Sequence, residues 1–564
     1  MRYSNWEVGG FDRDTAARFY RSGVNPLVSV FLASRGITEI GDAQAFIGDD
    51  PTPFYDPFLL ADMEKAVARI KKAVEDGERI VVYGDYDVDG MTSSVVLALW
   101  LRSKNADFEI YIPGRFDEGY GLNTAALDLF KTNGAGLVIT VDCGITAIEE
   151  ARHAKEIGLD LVITDHHECR DVLPEACAVV DPKRPDCHYP YKSLAGVGVA
   201  FKLVCALEGD YLSDDIFRSY SEFVAVGTVA DVMPVIGENR EIIKRGLGVL
   251  NTNPSPGLRS LLHEVNAEPG KITTSTIGFI IAPRLNAAGR MGQTSLSVDL
   301  LLTDDLQRSE ELTAELCRLN TERRNLEQEI YEEATAMLTD DEPDEPIILA
   351  RHGWYQGVTG IVAAKMAERY RLPVIIISID EDGTGRGSCR SCGSFAIYEA
   401  LCLCEDILDN YGGHEMAAGV TVTEENIEKL RDRIIKHYRE SIRTVPKSGL
   451  RLDFEVEKPE LLTLENVEAL EHLEPFGNGN PSPCLCITDA VLSSAFSIGA
   501  GKHSRIKVEK AGKHLDCIFF SVPADDLGVY EGNLVDIAFE PQINEFRGRS
   551  SVQLQLFDIK VSGK

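Results

Sequence analysis

The sequence predicts an α/β protein in which two α/β domains are joined by a long helix and followed by a C-terminal OB-like β-domain. Three observations carry this expectation. From Ile80 to Val180 short apolar runs alternate with helix-like stretches, the pattern of a parallel sheet covered by helices. From Asp304 to Thr339 there is no Gly or Pro, and Leu306, Leu312, Leu316, Leu319, Leu326, Ile330 and Met337 recur at helical spacing. Such a helix would extend roughly 50 Å at about 1.5 Å per residue. From Leu450 onward the pattern becomes strand-like alternation, clearest in SVQLQLF at Ser551–Phe557.

The chain has 564 residues, more than one hydrophobic core usually serves. Residues 1–50 form an N-terminal segment to which the sequence assigns no role. In the first α/β domain, residues 51–303, strands are expected at Ile80–Tyr83, Phe108–Ile112, Leu137–Val141, Leu161–Thr164 and Ala178–Val180. Helices lie between them at Thr92–Leu101, Thr124–Thr132 and Thr146–Ile157. The connecting helix occupies 304–340, and the acidic, Pro-containing stretch DDEPDEP ends it. A second α/β domain follows at 346–445, with strands Ile347–Ala350 and Val374–Ile379 around a helix at Val358–Tyr370. Residues 450–564 form the β-domain.

Composition narrows the function classes. The net charge of −33 argues against a protein that coats duplex DNA with its whole surface, so any nucleic-acid contact must be a local basic groove. The start MRYSNWEVGG has no basic region followed by an apolar core, and runs such as Val95–Leu101 are too short for a bilayer, so neither secretion nor membrane insertion is expected. Thirteen scattered cysteines do not form a disulfide framework and fit the cytoplasm.

The strongest chemical signal is VVYGDYDVDG, where a strand is expected to end in Asp85, Asp87 and Asp89. Residues two apart on an extended chain project to one side, so these carboxylates can face a cation or a cation pair. An EF-hand is excluded because its twelfth position, which requires a bidentate Glu, is Val96. Asp142 follows the next but one strand, and Asp165, His166 and His167 follow the strand after that. Ligands of open parallel sheets bind outside the carboxyl ends of the strands, so these groups converge. Taken alone, Asp142 could instead cap the helix expected at Thr146. Asp231, in the apolar stretch VGTVADVMP, would be costly to bury unless paired or coordinated. An oxygen-rich donor set with imidazole favours Mn²⁺ or Mg²⁺.

GDYDVDG, VDCGIT, TDHHE and VGTVADVMP together resemble the four motifs of the DHH phosphoesterases. NAAGRMG, HGWYQGVTGIVAAKMAERY, GSCRSCGSF, GGHEMAAG and LEPFGNGNP extend the resemblance to the RecJ-type branch of that family, over nearly the whole chain after about residue 50. The resemblance implies a single-stranded-DNA-specific 5′→3′ exonuclease of DNA repair and recombination, with a DHH domain, a DHH-associated domain and an OB-like domain. It implies two divalent cations, Mn²⁺ or Mg²⁺, held by Asp87, Asp89, Asp142, His166 and Asp231, with Asp142 bridging. His167 would assist at the scissile phosphate, and Asp85 and Asp165 would orient ligands or metal-bound water. Arg115, Arg290, Ser388, Arg390, Gly412, Gly413 and His414 match positions on the DNA path. A helicase and a single-strand-binding protein are the partners such an enzyme needs. Polarity rests on the resemblance alone.

Weaker signals carry less. Cys389 and Cys392 form a CxxC, but the nearby Cys402 and Cys404 have the wrong spacing for a zinc site. Gly196-Val197-Gly198 is not a full dinucleotide loop, and no GxxxxGK[ST] is present, so the chain is not expected to unwind DNA with ATP. Gly357, Gly360, Gly412 and Gly413 could let backbone amides approach a phosphate. Residues 501–564 carry nine Lys or Arg against nine Asp or Glu, including Lys502, Arg505, Lys507, Lys510, Lys513, Arg547 and Arg549. That local balance suits an OB-type strand-binding fold. Two rivals stand beside the exonuclease: a DHH phosphodiesterase for short oligonucleotides or cyclic dinucleotides, and a non-catalytic scaffold that has lost its ligands. Every motif carboxylate and histidine is present, which weighs against the scaffold.

Overall fold

The computed structural model describes all residues except 1, 2, 4, 49–53, 116–118, 120, 339–342, 442–448 and 564. The expected domain edges near residues 50, 340 and 445, and the start of the DDEPDEP stretch, fall outside the described residues. The chain forms two compact units, one of residues 55–233 and 242–446, the other of residues 1–54, 234–241 and 447–564.

The larger unit begins with a five-stranded, all-parallel sheet of β1 (Arg79–Tyr83), β2 (Phe108–Tyr111), β3 (Ala135–Val141), β4 (Asp160–Thr164) and β5 (Ala178–Val180), in the order β2-β1-β3-β4-β5. Its inner strands β1, β3 and β4 carry Val/Ile-rich runs because both faces are covered there. On one face Val81, Tyr83, Val138 and Ile163 pack with Leu127 and Phe130, and Tyr83 stacks on Tyr111 at 5.5 Å between ring centroids. Helix α1 (Val88–Ser103) is buried nearly all round, as expected of a helix enclosed on every side. It packs against α2 (Gly196–Glu208) and α3 (Asp214–Ala230). Helix α4 (Ala282–Arg290) follows a five-residue π-helical turn, Ile277–Ile281.

The long helix is present as α5 (Leu306–Ala336), 31 residues or about 46 Å. Asp305 caps it, accepting the Arg308 amide at 2.9 Å. Leu312, Leu316 and Leu319 are buried, while Arg318 pairs with Glu315 and Glu322 on its solvent face. Ile330 and Ala334 join the core of the second α/β domain. That domain is a mixed sheet of β6 (Ile347–His352), β7 (Val374–Ile379), β8 (Thr384–Arg390), β9 (Asn410–His414) and β10 (Ala417–Thr423), in the order β9-β10-β8-β7-β6. Only β6 and β7 are parallel. Helix α6 (Gln356–Tyr370) covers it, and Gly357 and Gly360 lie inside this helix rather than before it.

In the smaller unit, β11 (Leu485–Ile498), β12 (His503–Lys510), β13 (Lys513–Phe519), β14 (Leu534–Phe546) and β15 (Arg549–Val561) form one sheet, and pairing of β11 with β14 closes it into a barrel. Phe19, Leu27, Phe31 and Leu32 share its core with Phe454, Leu485, Ile537 and Phe539. Residues 1–54 are therefore part of the C-terminal fold, which their own sequence does not announce. Arg240 is drawn into the same unit, donating to the carbonyls of Leu473 and Pro475 at 3.1 Å each and of Glu474 at 2.6 Å.

Candidate metal centre and nucleic-acid interface

The acidic motif does not work as an extended chain. β1 stops at Tyr83, and Asp87 is the N-cap of α1, its Oδ1 accepting the amides of Asp89 at 2.9 Å and Gly90 at 3.1 Å. The carboxylates converge because a tight strand-to-helix turn folds back on itself. A Cβ on Gly90 would lie 2.6 Å from Asp85 Cβ, so only glycine allows this approach. Asp89 enters the first turn of α1 and accepts the amides of Gly196 at 2.7 Å and Val197 at 2.8 Å from the N-terminus of α2. Gly196-Val197, set aside as a nucleotide loop, thus fixes a carboxylate. A Cβ at Gly196 would come within 2.4 Å of Asp142 Oδ1.

Asp142 follows β3 in the left-handed region, φ 60°, and does not cap a helix: the next one starts at Ile148 with Ala147 at its cap. His166 Nε2 lies 3.1 Å from Asp142 Oδ1, 3.7 Å from Asp231 Oδ2 and 3.8 Å from Asp89 Oδ2, and its Nδ1 faces the Leu194 carbonyl at 3.1 Å. That carbonyl accepts the Nδ1 proton and leaves Nε2 as a lone-pair donor. Asp231 terminates α3 as its C-cap. Asp165 is buried and fully engaged. It accepts the amides of Ile145, His166 and His167 at 2.8, 2.7 and 3.1 Å and holds His167 Nδ1 at 2.7 Å.

Three ligand groups result, each with donor atoms within 4.8 Å of one another: Asp85, Asp87 and Asp142; Asp89, His166 and Asp231; and Asp142, His166 and His167. Asp142 joins the first group to the third and His166 the second to the third, the arrangement two adjacent cations would need. Asp85 stands with the ligand-type groups rather than behind them, and its buried Oδ1 has no hydrogen-bond partner.

The electrostatics ask for cations. Burial, with the charge of Asp87, pushes Asp89 up to about 7, and burial with Asp89 does the same to Asp231. Asp85 and Asp142 are pushed well above the carboxylate range, first by burial and then by their acidic neighbours. Burial and the neighbouring His167 lower His166 and keep it neutral. His167 moves the other way: against burial, the hydrogen bond and charge of Asp165 raise it to about 9. So many carboxylates cannot stay ionised in a buried site without counter-charge, and the oxygen-rich donor set fits divalent cations. One further acid escaped the sequence reading. Asp181, at the carboxyl end of β5, is buried with Oδ2 unpartnered, and burial with the charge of Asp165 raises it to about 7. Its position after a strand in VVDP was the available signal.

Beside this cradle is a cluster of guanidiniums. Burial and the charges of Arg115, Arg323 and Arg390 lower Arg290 to about 9, so four arginines share one neighbourhood. Arg290 Nη1 donates to the Gly357 carbonyl at 3.2 Å, and the Tyr355 hydroxyl donates to the Arg290 carbonyl at 3.0 Å, tying α4 to the start of α6. Arg115 stacks over the Tyr86 ring at 4.9 Å, and the PGRFDEGYG residues 116–118 and 120 lie outside the described residues. Arg323, on α5, was not anticipated, because the long helix reads from its sequence as a spacer.

The second sheet presents Ser388 and Arg390 toward the first turns of α6: the hydroxyls of Thr359 and Ser388 lie 3.1 Å apart, and a Cβ on Gly360 would lie 3.3 Å from Arg390 Nη2. Across the ladder Ser388 is in register with Gly419 and then Gly412, and Arg390 with Ala417 and then His414. Cross-strand neighbours share a face, so Ser388, Arg390, Gly412 and His414 form two adjacent rows on it. The family resemblance implies a Gly-Gly-His turn at Gly412, Gly413 and His414, but they are strand residues, and a Cβ on Gly413 would meet the Ala417 carbonyl at 2.4 Å. None of the thirteen cysteines forms a disulfide, Cys389 and Cys392 included.

Comparison with known proteins matches three families: the DHH family N-terminal domain over residues 79–228, the DHHA1 domain over 344–440 and the RecJ OB domain over 452–558. The chain is similar to the single-stranded-DNA-specific exonuclease RecJ of Bacillus subtilis (strain 168), 40% identical across 99% of this chain and 71% of that protein. The RecJ of Salmonella typhimurium (strain LT2) is 34% identical across 95% and 96%. The crystal structure of Thermus thermophilus RecJ in complex with Mn²⁺ matches with a TM-score of 0.85 and 28% identity, over 99% of this chain and 80% of that one.

Proposed function

The chain belongs to the RecJ family, and on that footing we propose that it is a metal-dependent exonuclease that hydrolyses single-stranded DNA from the 5′ end in repair and recombination. The observation that carries the reading is the buried set Asp85, Asp87, Asp89, Asp142, His166 and Asp231 beside the cluster Arg115, Arg290, Arg323 and Arg390. Anionic ligands for cations and cationic ligands for phosphates lie within one compact unit.

Asp87, Asp89, Asp142, His166 and Asp231 would hold two divalent cations, Mn²⁺ or Mg²⁺. Asp85 joins them through its unpartnered oxygen, and Asp165 orients His167. The bound pair supplies Lewis acidity to the scissile phosphate and a water of lowered pKa to attack it. The protein does the rest. His167, protonated through its bond to Asp165, offers its second nitrogen as a cationic donor to a phosphate oxygen. Arg290, Arg390 and Ser388 grip backbone phosphates, and Gly412 leaves its row clear for the strand, with Gly413 and His414 beside it. Arg115, held over Tyr86, closes the same side.

The oligonucleotide or cyclic-dinucleotide phosphodiesterase is not favoured, since the likeness to the RecJ exonucleases runs through the barrel as well as the metal centre. No helix of the described residues is long and apolar enough to cross a membrane. A cytoplasmic location suits thirteen cysteines without a disulfide. The partners we infer are a helicase, because no ATP-binding loop is present, and a single-strand-binding protein. Digestion of one oligonucleotide labelled at either end, with Mn²⁺, tests the reading. The 5′-labelled strand is expected to release its label as the first product while the 3′-labelled strand shortens in steps; the reverse order, or no cleavage, overturns it.

A further inference from the structure

The π-helical turn Ile277–Ile281 buries Ile277 and Ile281 but leaves the Phe279 side chain 81% exposed. An aromatic ring in water at an irregular helical turn forgoes about 1.5–3 kcal/mol of burial, and π-turns occur disproportionately at functional sites. Its placement is specific. On one side the turn packs on the end of α3: a Cβ on Gly278 would lie 3.8 Å from Val229 Cγ1, two residues before Asp231. Val232, immediately after Asp231, is itself 66% exposed and has φ 57°, an outlying conformation for a β-branched residue. On the other side the turn runs directly into α4, which ends at Arg290, with Arg284 Nη1 locking the turn through the Ile280 carbonyl at 2.7 Å. Phe279 and Arg290 are eleven residues apart along this rod, about 16 Å. The turn that carries the exposed ring therefore joins the element that delivers a metal-type carboxylate to the element that delivers a phosphate-type guanidinium.

We propose that Phe279 is a stacking platform for an unpaired base of the bound strand, a few nucleotides from the phosphate gripped by Arg290. This rests on the single-stranded-DNA reading above and deepens it. Phosphate and metal contacts accept any backbone, whereas a ring face is offered only to a base whose own faces are not stacked within a duplex. The contact thus selects single strands without selecting sequence.

The test is equilibrium binding, in the full chain with metal-free buffer, of a single-stranded 12-mer and of a series carrying one abasic site at each successive position. Wild type is expected to lose affinity, by about 5- to 150-fold, when the abasic site falls within a few nucleotides of the bound end and much less elsewhere. Phe279→Ala should bind the intact strand as weakly as wild type binds that abasic strand and should show no further loss at that position. Phe279→Trp should restore both. Because the ring is exposed, all variants should melt with wild type. Normal affinity and an unchanged abasic profile in Phe279→Ala would overturn the platform while leaving the exonuclease reading intact. Failure of wild type to bind single strands at all would overturn both.

Discussion

The two sheets of the larger unit have the same number of strands but opposite ways of gathering their polar residues. In the first, parallel strands all end at one edge, so residues that follow β1, β3 and β4 collect at a point: Asp85, Asp142, and Asp165 with His166 and His167. In the second, antiparallel β8, β10 and β9 put polar groups in rows, Ser388 to Gly412 and Arg390 to His414. A parallel sheet suits a point-like ligand such as a cation pair, and an antiparallel face suits a chain laid across it. On the function proposed above, topology divides the labour: one sheet would do the chemistry and the other hold the polymer.

The largest effect should come from breaking the first sheet's cradle. Asp142→Ala is expected to lower hydrolysis by more than about a thousandfold, because on this reading one carboxylate would serve two cations. The same change should raise the melting temperature in EDTA, since it removes a carboxyl that burial among acids forces to take up a proton, and should abolish stabilisation by Mn²⁺. Differential scanning fluorimetry with and without Mn²⁺ reads both, and a variant that still gains stability from Mn²⁺ would remove Asp142 from the centre.

Breaking the second sheet should leave chemistry and spoil grip. Arg390→Ala is expected to weaken single-strand binding about 10- to 100-fold, the worth of a charge-assisted hydrogen bond, with turnover at saturating DNA within about threefold. Ser388→Ala should cost less, about 2- to 10-fold. Steady-state kinetics over a range of DNA concentration separates the two, and a loss confined to kcat would move Arg390 into the chemical step.

Proton linkage sharpens the contrast further. Asp89 and Asp231 hold protons up to about 7 in the metal-free protein, so cation binding must expel them. Mn²⁺ affinity should be level above about pH 8 and fall steeply below pH 7; a flat profile from pH 6 to 8 would contradict the ligand set. Glu222, on the helix that ends at Asp231, is the control. Burial raises it to about 7, although both its oxygens face the Ser255 amide at 3.1–3.2 Å. Its folded pKa lies above the unfolded one, so its protonation stabilises the fold fully below about pH 4.5, and that contribution is lost as pH rises through 7. Glu222→Gln should therefore gain about 1–2 kcal/mol on wild type between pH 5 and pH 8 in urea unfolding, and Mn²⁺ should not alter the gain. A difference independent of pH would mean Glu222 is ionised throughout.

Much of this is legible in the residues. Periodicity locates β5, β7 and the helix Thr124–Thr132 at their observed limits, because buried Val/Ile runs and an Asn-capped amphipathic stretch leave little choice of register. The acidic motifs do lie at strand ends, yet Asp85, Asp87 and Asp89 converge for a reason other than strand alternation. Alternation is a local rule, whereas a turn that lets Asp87 cap α1 depends on Gly90 meeting Asp85. What stays hidden is long-range. Nothing local in residues 1–54 says that Phe31 packs on Phe454, 6.1 Å away between ring centroids. Nothing local in the long helix says that Arg323 lies near Arg290. The basic β-domain residues are likewise partly structural: Lys513 donates to the carbonyls of Pro459 and Leu462, and Arg505 and Lys507 share Asp516.

The division of labour is tested most directly by counting Mn²⁺ bound per chain at pH 8 by equilibrium dialysis, for wild type, Asp142→Asn and Arg390→Ala. Two ions are expected for wild type and for Arg390→Ala, and at most one, weakly held, for Asp142→Asn. A single ion in wild type, or a loss of ions in Arg390→Ala equal to that in Asp142→Asn, would contradict it.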